Sequence, residues 1–343
     1  MNTPDSFVSL KYHVHGDPME VIHPDEVKID QCLEGEVIIK LEAATIHPSD
    51  LGLIAGSYGN LRELPAVAGR EGVGVIHEIG PGVDKEIKGR PVLLPEYFGA
   101  WQEFIKEKVQ DLIFLPSLVP FDQLAVSIIN PMTAWRLLND FEYLKAGDFV
   151  IQNAGNSAVG LSVIQFAKIM GLRCISLVRS ERMQKMLKEH TDSDVFLDDD
   201  EVVERVTDIT KGKRCMLGLN SIGGRSALRI ARCLCDGGVH VTFGAMDSTS
   251  IRFPTRSLIF NDVRFVGFWL DRWRRKKTIS ELRVALDEVL QPLALTQIKH
   301  HIDSIFELKN FKDGLIRNSE SRLGKVLLVA SDSELLKTKD PVA

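Results

Sequence analysis

The residues best suited to chemistry in this 343-residue chain lie in one short stretch, Phe149-Val-Ile-Gln-Asn-Ala-Gly-Asn-Ser-Ala-Val-Gly160. Apolar, strand-like residues give way to small ones, and Val159, Val163, Ile164, Ala167 and Met170 then open a helical pattern. A strand feeding a tight turn into a helix gathers backbone N–H groups and the positive helix end at one point, which suits a phosphate. The dinucleotide fingerprint at such a turn is Gly-x-Gly-x-x-Gly. Here Gly155, Ser157 and Gly160 fill its three places, so the middle glycine is replaced. The hydrolase elbow, Gly-x-Ser-x-Gly, is excluded because Val159 stands where its second glycine belongs. An NAD site places Asp or Glu about 20 residues further on, at the ribose hydroxyls. In this chain the strand Cys174-Ile-Ser-Leu-Val178 ends at Arg179, followed by Ser180, Glu181 and Arg182. A guanidinium offers paired donors to a phosphate where a carboxylate would repel it, so Arg179 and Arg182 favour NADP(H) over NAD(H). The plain alternative is a pair of solvated arginines opening a helix.

These residues need elements to position them. Residues 1–130 read as strands punctuated by glycine and proline: Val37-Ile-Ile-Lys-Leu-Glu-Ala43, Val73–Ile79, Gly89–Pro95 and Gly99–Ile105. A compact, barrel-like, mostly-β unit follows from them. Gln123 to Phe141 reads as helix interrupted at Asn130-Pro131. Strands and helices then alternate: Phe149–Gln152, Ala158–Met170, Arg173–Val178, Arg182–His190, Met216–Leu219, Arg225–Cys235, Val239–Phe243 and Arg264–Phe268. Apolar strands separated by helices imply a doubly wound α/β domain whose crevice lies at the carboxyl ends of a parallel sheet. Ile279–Leu290 is a further helix, and the strand from Lys325 returns the chain to the first domain. The expected domains are thus residues 1–125 with 300–343, and 126–299.

Composition narrows the class. A net charge of −5 argues against general nucleic-acid binding. Five cysteines, Cys32, Cys174, Cys215, Cys233 and Cys235, are odd in number and widely spaced, which suits a reducing cytosol and not a secreted disulfide framework. Cys233 and Cys235, near the expected end of a helix, have no second pair to complete a zinc site. Residues 1–7 resemble neither a signal peptide nor an Arg-rich presequence, so the expected location is cytoplasmic. No apolar run is long enough for a membrane span.

Over nearly its full length the chain resembles the medium-chain dehydrogenase/reductase superfamily, and within it the mitochondrial-type 2-enoyl thioester (enoyl-CoA or enoyl-ACP) reductases. The resemblance rests on His47-Pro-Ser-Asp50, Gly56-Ser-Tyr-Gly59, Leu64-Pro-Ala-Val67, Gly69-Arg-Glu-Gly72, Asn130-Pro-Met-Thr-Ala134, Val150–Gly160 and Gly267-Phe-Trp-Leu270. It implies a GroES-like catalytic domain joined to a Rossmann domain. The superfamily's zinc alcohol dehydrogenases carry a ligand cysteine near the His47 region and a histidine in Gly-His-Glu. This chain has no such cysteine, Arg70 replaces that histidine, and the structural zinc lobe is missing. A zinc-free enzyme without a Lewis acid is expected, favouring reduction of an activated C=C.

The resemblance further implies that a hydride adds to the β-carbon of an α,β-unsaturated thioester while Tyr58 protonates the α-carbon. Expected NADP(H) contacts are Asn130, the phosphate turn Asn156, Ser157, Ala158 and Val159, then Arg179, Ser180 and the displaced Arg182. Phe243, Gly244, Ala245 and Met246, with Phe268, Trp269, Leu270 and Lys325, complete the set. The family shows Arg-Asp-Arg where this chain has Arg179-Ser-Glu181, which weakens the case for strict NADPH preference. A homodimer is implied, with an enoyl-CoA or enoyl-ACP substrate. The basic run Arg272-Trp-Arg-Arg-Lys-Lys277 is either a solvated face or an attractor of CoA phosphates or of an acidic carrier protein. Alternatives are a zinc-free quinone or enone reductase and a non-catalytic NADP-binding redox sensor.

Overall fold

The computed structural model describes residues 4–247, 249–251 and 254–337. The chain opens with β1 (Ser6–Tyr12), α1 (Pro18–Val21), β2 (Ile22–Lys28), β3 (Glu36–Thr45), α2 (Pro48–Ile54), β4 (Ala66–Val67), β5 (Gly72–Ile79), β6 (Pro91–Leu93), β7 (Phe104–Lys108) and α3 (Phe121–Leu124). Next come α4 (Ile129–Asn139), β8 (Phe149–Gln152), α5 (Ala158–Ile169), β9 (Arg173–Val178), α6 (Glu181–His190), β10 (Asp194–Leu197), α7 (Val202–Thr210), β11 (Cys215–Asn220) and α8 (Gly224–Arg232). They are followed by β12 (Leu234–Thr242), α9 (Thr255–Phe260), β13 (Arg264–Gly267), α10 (Leu270–Arg274) and α11 (Ile279–Ala294). β14 (Ile302–Glu307), α12 (Phe311–Ser319) and β15 (Lys325–Val329) close the described chain. Two compact units result, one running to Ile128 and resuming at His301, the other Ile129–His300.

The first unit is built on a sheet ordered β14-β15-β3-β5-β6, with β7 also pairing to β3, and a smaller sheet β2-β1-β4. Only β14 and β15 run parallel; the other pairs are antiparallel. Its core gathers Leu10, Ile39, Leu41, Ile46, Ile76, Trp101, Val326 and Leu328, so residues from both ends of the chain share one interior. Trp101 is fully buried, and its indole N–H donates to the Thr45 carbonyl at 3.0 Å. Gly69 lies against that ring with φ +85°, and a Cβ there would sit 2.2 Å from Trp101 Cδ1. Only glycine fits that position, and it fixes the backbone that delivers Arg70 and Glu71.

The second unit carries six parallel strands in the order β10-β9-β8-β11-β12-β13. Counted from β8 this is 3-2-1-4-5-6, the order of a Rossmann sheet, with its switch point between β8 and β11. β8 and β9 are apolar and buried almost throughout, as strands covered on both faces must be.

Several elements differ from the sequence-based reading. The helical stretch after Gln123 breaks before Ile129, and Pro131 sits in the first turn of α4, where a missing N–H is harmless. β10 and α7 lie in a segment given no element; β10 has four residues and is bounded by aspartates, too short to show a period. Cys233 caps α8 and Cys235 is already on β12, so the helix ends earlier and the strand starts earlier than expected.

Candidate active site

Four of the expected cofactor segments of the second unit begin at carboxyl ends of its sheet. β8 leads to Asn156–Val159, β9 to Arg179, Ser180 and Arg182, β12 to Phe243–Met246, and β13 to Phe268–Leu270. Asn153 knits this edge together. Its side-chain N–H groups donate to Asn220 Oδ1 and Ser226 Oγ, each at 2.8 Å, and its Oδ1 accepts the Ser221 N–H at 2.8 Å. Gln152 donates to the Gly160 carbonyl at 2.9 Å and to Ser176 Oγ at 3.1 Å. Both amides are buried, so the family-specific wording of the turn has a structural reason: it satisfies the polar groups beneath it.

The turn itself is close-packed. A Cβ at Gly155 would lie 2.6 Å from Ser176 Cβ, and one at Gly160 would lie 2.7 Å from the Gly155 carbonyl oxygen. Ser157 caps α5, its Oγ accepting the Gly160 N–H at 3.1 Å. The hydroxyl oxygen thus already has a protein partner while its hydrogen remains to be donated, and the first-turn N–H groups of Ala158 and Val159 have no intrahelical acceptor. Asn156 is half-buried against Met183. Arg179 and Arg182 are exposed and form no ion pair among the described residues; Ser180 caps α6. Gly244 passes so close to Ser221 that a Cβ would meet its carbonyl at 2.7 Å, while Ala245 and Met246 are exposed. Phe268 is half-buried, edge-on to Phe141 at 5.6 Å, and Trp269 carries the Arg275 guanidinium 5.5 Å from its ring centroid. Leu270 is buried in the core, so only its backbone could meet a ligand. Asn130 lies elsewhere, in the first turn of α4; it is buried and its Nδ2 has no hydrogen-bond partner among the described residues. An orphaned amide donor, a capped helix start and exposed arginines together fit an anionic dinucleotide.

The first unit places Tyr58 and Lys325. After α2 the chain doubles back, with the Ser57 N–H donating to the Gly52 carbonyl at 2.9 Å. Tyr58 is thereby laid on the helix, and a Cβ at Gly52 would lie 2.8 Å from its own Cβ. The ring is half-buried, with the Arg70 guanidinium carbon 5.5 Å from its centroid. Arg70 is held by Glu96, Nε donating to Oε1 at 2.7 Å.

Lys325 belongs to a buried charged chain. Its ammonium donates to the Ile46 carbonyl at 3.0 Å and to His47 Nδ1 at 2.8 Å. His47 Nε2 faces Glu71 Oε2 at 2.6 Å, and Glu71 Oε1 accepts the Ile128 N–H at 2.7 Å. With Nδ1 accepting, the imidazole is neutral and carries its hydrogen on Nε2. Burial, reinforced by Lys325, holds the His47 pKa low; burial also pulls the Lys325 ammonium down to about 8 against the attraction of Glu71 and Asp50. This donor set does not fit zinc. Both His47 nitrogens are committed, and a lysine and an arginine bring positive charge. Among the described residues no group of three or more His, Cys, Asp or Glu could hold a metal ion.

Known families match segments of both units. The family model "Alcohol dehydrogenase GroES-like domain" matches residues 33–113, and "Zinc-binding dehydrogenase" matches residues 158–288. The mitochondrial enoyl-[acyl-carrier-protein] reductase of Dictyostelium discoideum is 33% identical over 333 residues, covering 94% of each chain. The chain belongs to the enoyl-[acyl-carrier-protein] reductase family. Within the medium-chain dehydrogenase/reductase superfamily, its fold matches the mitochondrial 2-enoyl thioester reductase Etr1p/Etr2p heterodimer from Candida tropicalis. That match has a TM-score of 0.84 at 25% identity, covering 94% of this chain and 99% of the other. The Etr1p/NADP/crotonyl-CoA complex matches equally, with a TM-score of 0.84 at 24% identity over 94% and 99%.

These relatives overturn the cytoplasmic expectation, since both the Dictyostelium and the Candida proteins are named mitochondrial. That expectation drew on the first residues and on unpaired thiols; free thiols report a reducing environment, not a compartment. Among the described residues no helix is long and apolar enough to cross a membrane. Sequence reasoning missed Asn153, Glu96 and the role of Glu71. A glutamate directly after the substituted zinc-ligand position was the available signal for the last.

Proposed function

We propose that this chain uses NADPH to reduce the C=C bond of trans-2-enoyl thioesters, with Tyr58 as the proton donor. The observation that carries the reading is a relative named enoyl-[acyl-carrier-protein] reductase at 33% identity over 94% of both chains. Bound NADPH supplies the hydride that adds to the β-carbon. As it adds, the π electrons shift toward the α-carbon and the thioester oxygen. Tyr58 transfers its phenolic proton to the α-carbon: the O–H bond breaks, the C–H bond forms, and the electron pair stays on the phenolate, which water reprotonates. An ordinary phenol is protonated at neutral pH and therefore ready to donate.

Holding the dinucleotide falls to the second unit. The start of α5, with the Ser157 hydroxyl, suits the pyrophosphate, and Arg179, Ser180 and Arg182 suit the 2′-phosphate. Asn130 offers its unpartnered amide, and the backbone of residues 243–246 and 268–270 lines the same edge of the sheet. Lys325 has one remaining N–H to offer after Ile46 and His47. The chain further assembles as a homodimer, which its mass in solution tests.

NADPH oxidation with crotonyl-CoA, a long-chain enoyl-CoA, a quinone and an alkenal tests the activity. Turnover of the two thioesters is expected; turnover confined to the quinone, or NADPH binding with no turnover, overturns the reading.

A further inference from the structure

We propose that Arg70 is a positioning residue for catalysis: its fixed guanidinium stabilises the tyrosinate that Tyr58 becomes when it gives up its proton. The proposal rests on the enoyl reductase reading above and extends it to the side chain that stands where zinc alcohol dehydrogenases carry a histidine.

Arg70 is 4% exposed, an unusual place for a guanidinium, which keeps its charge and must find partners. Glu96 supplies one, through Nε and Nη2. The guanidinium carbon lies 5.5 Å from the Tyr58 ring centroid, inside the range of a cation–π contact. Its backbone cannot drift, because Gly69 is wedged against Trp101. Arg62 braces the same segment, donating from Nη2 to the Gly69 carbonyl at 2.9 Å and to the Glu96 carbonyl at 2.6 Å.

Among the described residues, the charged and titratable groups facing Arg70 include Glu96, Arg62, Asp50 and, through Arg62 and Asp50, Tyr12. Burial pushes the Asp50 carboxyl toward its neutral form, opposed by His47 and by Arg70. The Arg62 and Arg70 guanidinium groups thus stand beside the Glu96 carboxylate and a carboxyl that burial discourages from ionising.

When Tyr58 loses its proton to the α-carbon, the electron pair left on oxygen spreads into the ring. A cation held against that ring acts more strongly on the tyrosinate than on the phenol, which is the condition for speeding the step. Arg70 does so without touching the substrate, and water returns the proton.

The test is a double-mutant cycle on kcat with crotonyl-CoA. Arg70→Met is expected to lower kcat about tenfold, with the KM for NADPH unchanged, and Arg70→Lys to retain most of the activity. In a Tyr58→Phe background Arg70→Met should change kcat less than about twofold, since the group it acts through is gone. A full tenfold loss in both backgrounds, or an unchanged kcat in Arg70→Met alone, overturns the proposal. Should Arg70→Met not fold, Glu96→Gln removes the opposing charge while keeping an acceptor. It is expected to move the alkaline limb of the kcat–pH profile to lower pH, and an unmoved limb sinks the idea. Wild-type protein that turns over no enoyl thioester defeats the parent reading and this one together; active wild type with additive losses defeats this one alone.

Discussion

Around the turn of the second unit the buried polar groups are neutral: Gln152, Asn153, Asn220, Ser221 and Ser226 exchange amide and hydroxyl hydrogen bonds at the ends of β8 and β11. In the first unit a buried set is ionic: Lys325, Glu71, Asp50 and Arg70, with a neutral His47 between lysine and glutamate and the half-buried Arg62 beside it. A neutral amide carries its own donors and acceptors, so a handful of neighbours at strand ends can satisfy it. A buried charge must find an opposite charge, wherever in the chain that charge resides. The first unit therefore depends on long-range partners, His47 and Lys325 among them, and should break harder when one is removed.

Removing one charge from the ionic chain is the sharpest way to test the contrast. Glu71→Ala strands the Lys325 ammonium in the interior and leaves the Ile128 N–H without its acceptor. A loss of about 3–5 kcal/mol is expected in denaturant titration; a loss under about 1 kcal/mol would make the ionic chain no more demanding than the amide one.

Protonation gives the next effect, and it separates the units by pH. Burial lowers the His240 pKa to about 4. The folded state then binds fewer protons than the unfolded one between that value and about 6.5. Stability from this group is complete above about pH 6.5 and falls by about 3 kcal/mol as pH drops through the window. His240→Gln should flatten that acid slope of Tm. Lys325 has the same sign in another window: with its pKa lowered to about 8, the folded state binds fewer protons from there up to the ordinary lysine value, so its contribution to stability rises with pH across that range.

In the neutral network Asn153→Ala should cost about 2 kcal/mol, since it takes away the acceptor of the buried Ser221 N–H. A cost equal to that of Glu71→Ala would erase the distinction. Smallest is an exposed charge: Arg179→Ala should raise the KM for NADPH about tenfold, or ~1.4 kcal/mol, and leave that for NADH unchanged. An unchanged NADPH value would hand the 2′-phosphate to Arg182.

The sequence alone determined what depends on neighbours along the chain. The alternation of apolar strands and helices implied the parallel sheet, and the small residues of Gly155–Gly160 implied the tight turn that opens α5, because both are patterns of a few consecutive residues. The missing cysteine near His47 and Arg70 in place of a histidine are likewise single-position facts. The sequence did not disclose β10, which is too short for a period, nor why Gln152 and Asn153 are there, since their partners lie at 160, 176, 220, 221 and 226. Motif resemblance offered Lys325 as a cofactor contact; only the fold revealed it bound to His47, 278 residues away. Likewise it took the tertiary structure to set Arg70 against Tyr58. Charges pair through space in a dry interior, and no spacing along a chain records which ones will meet.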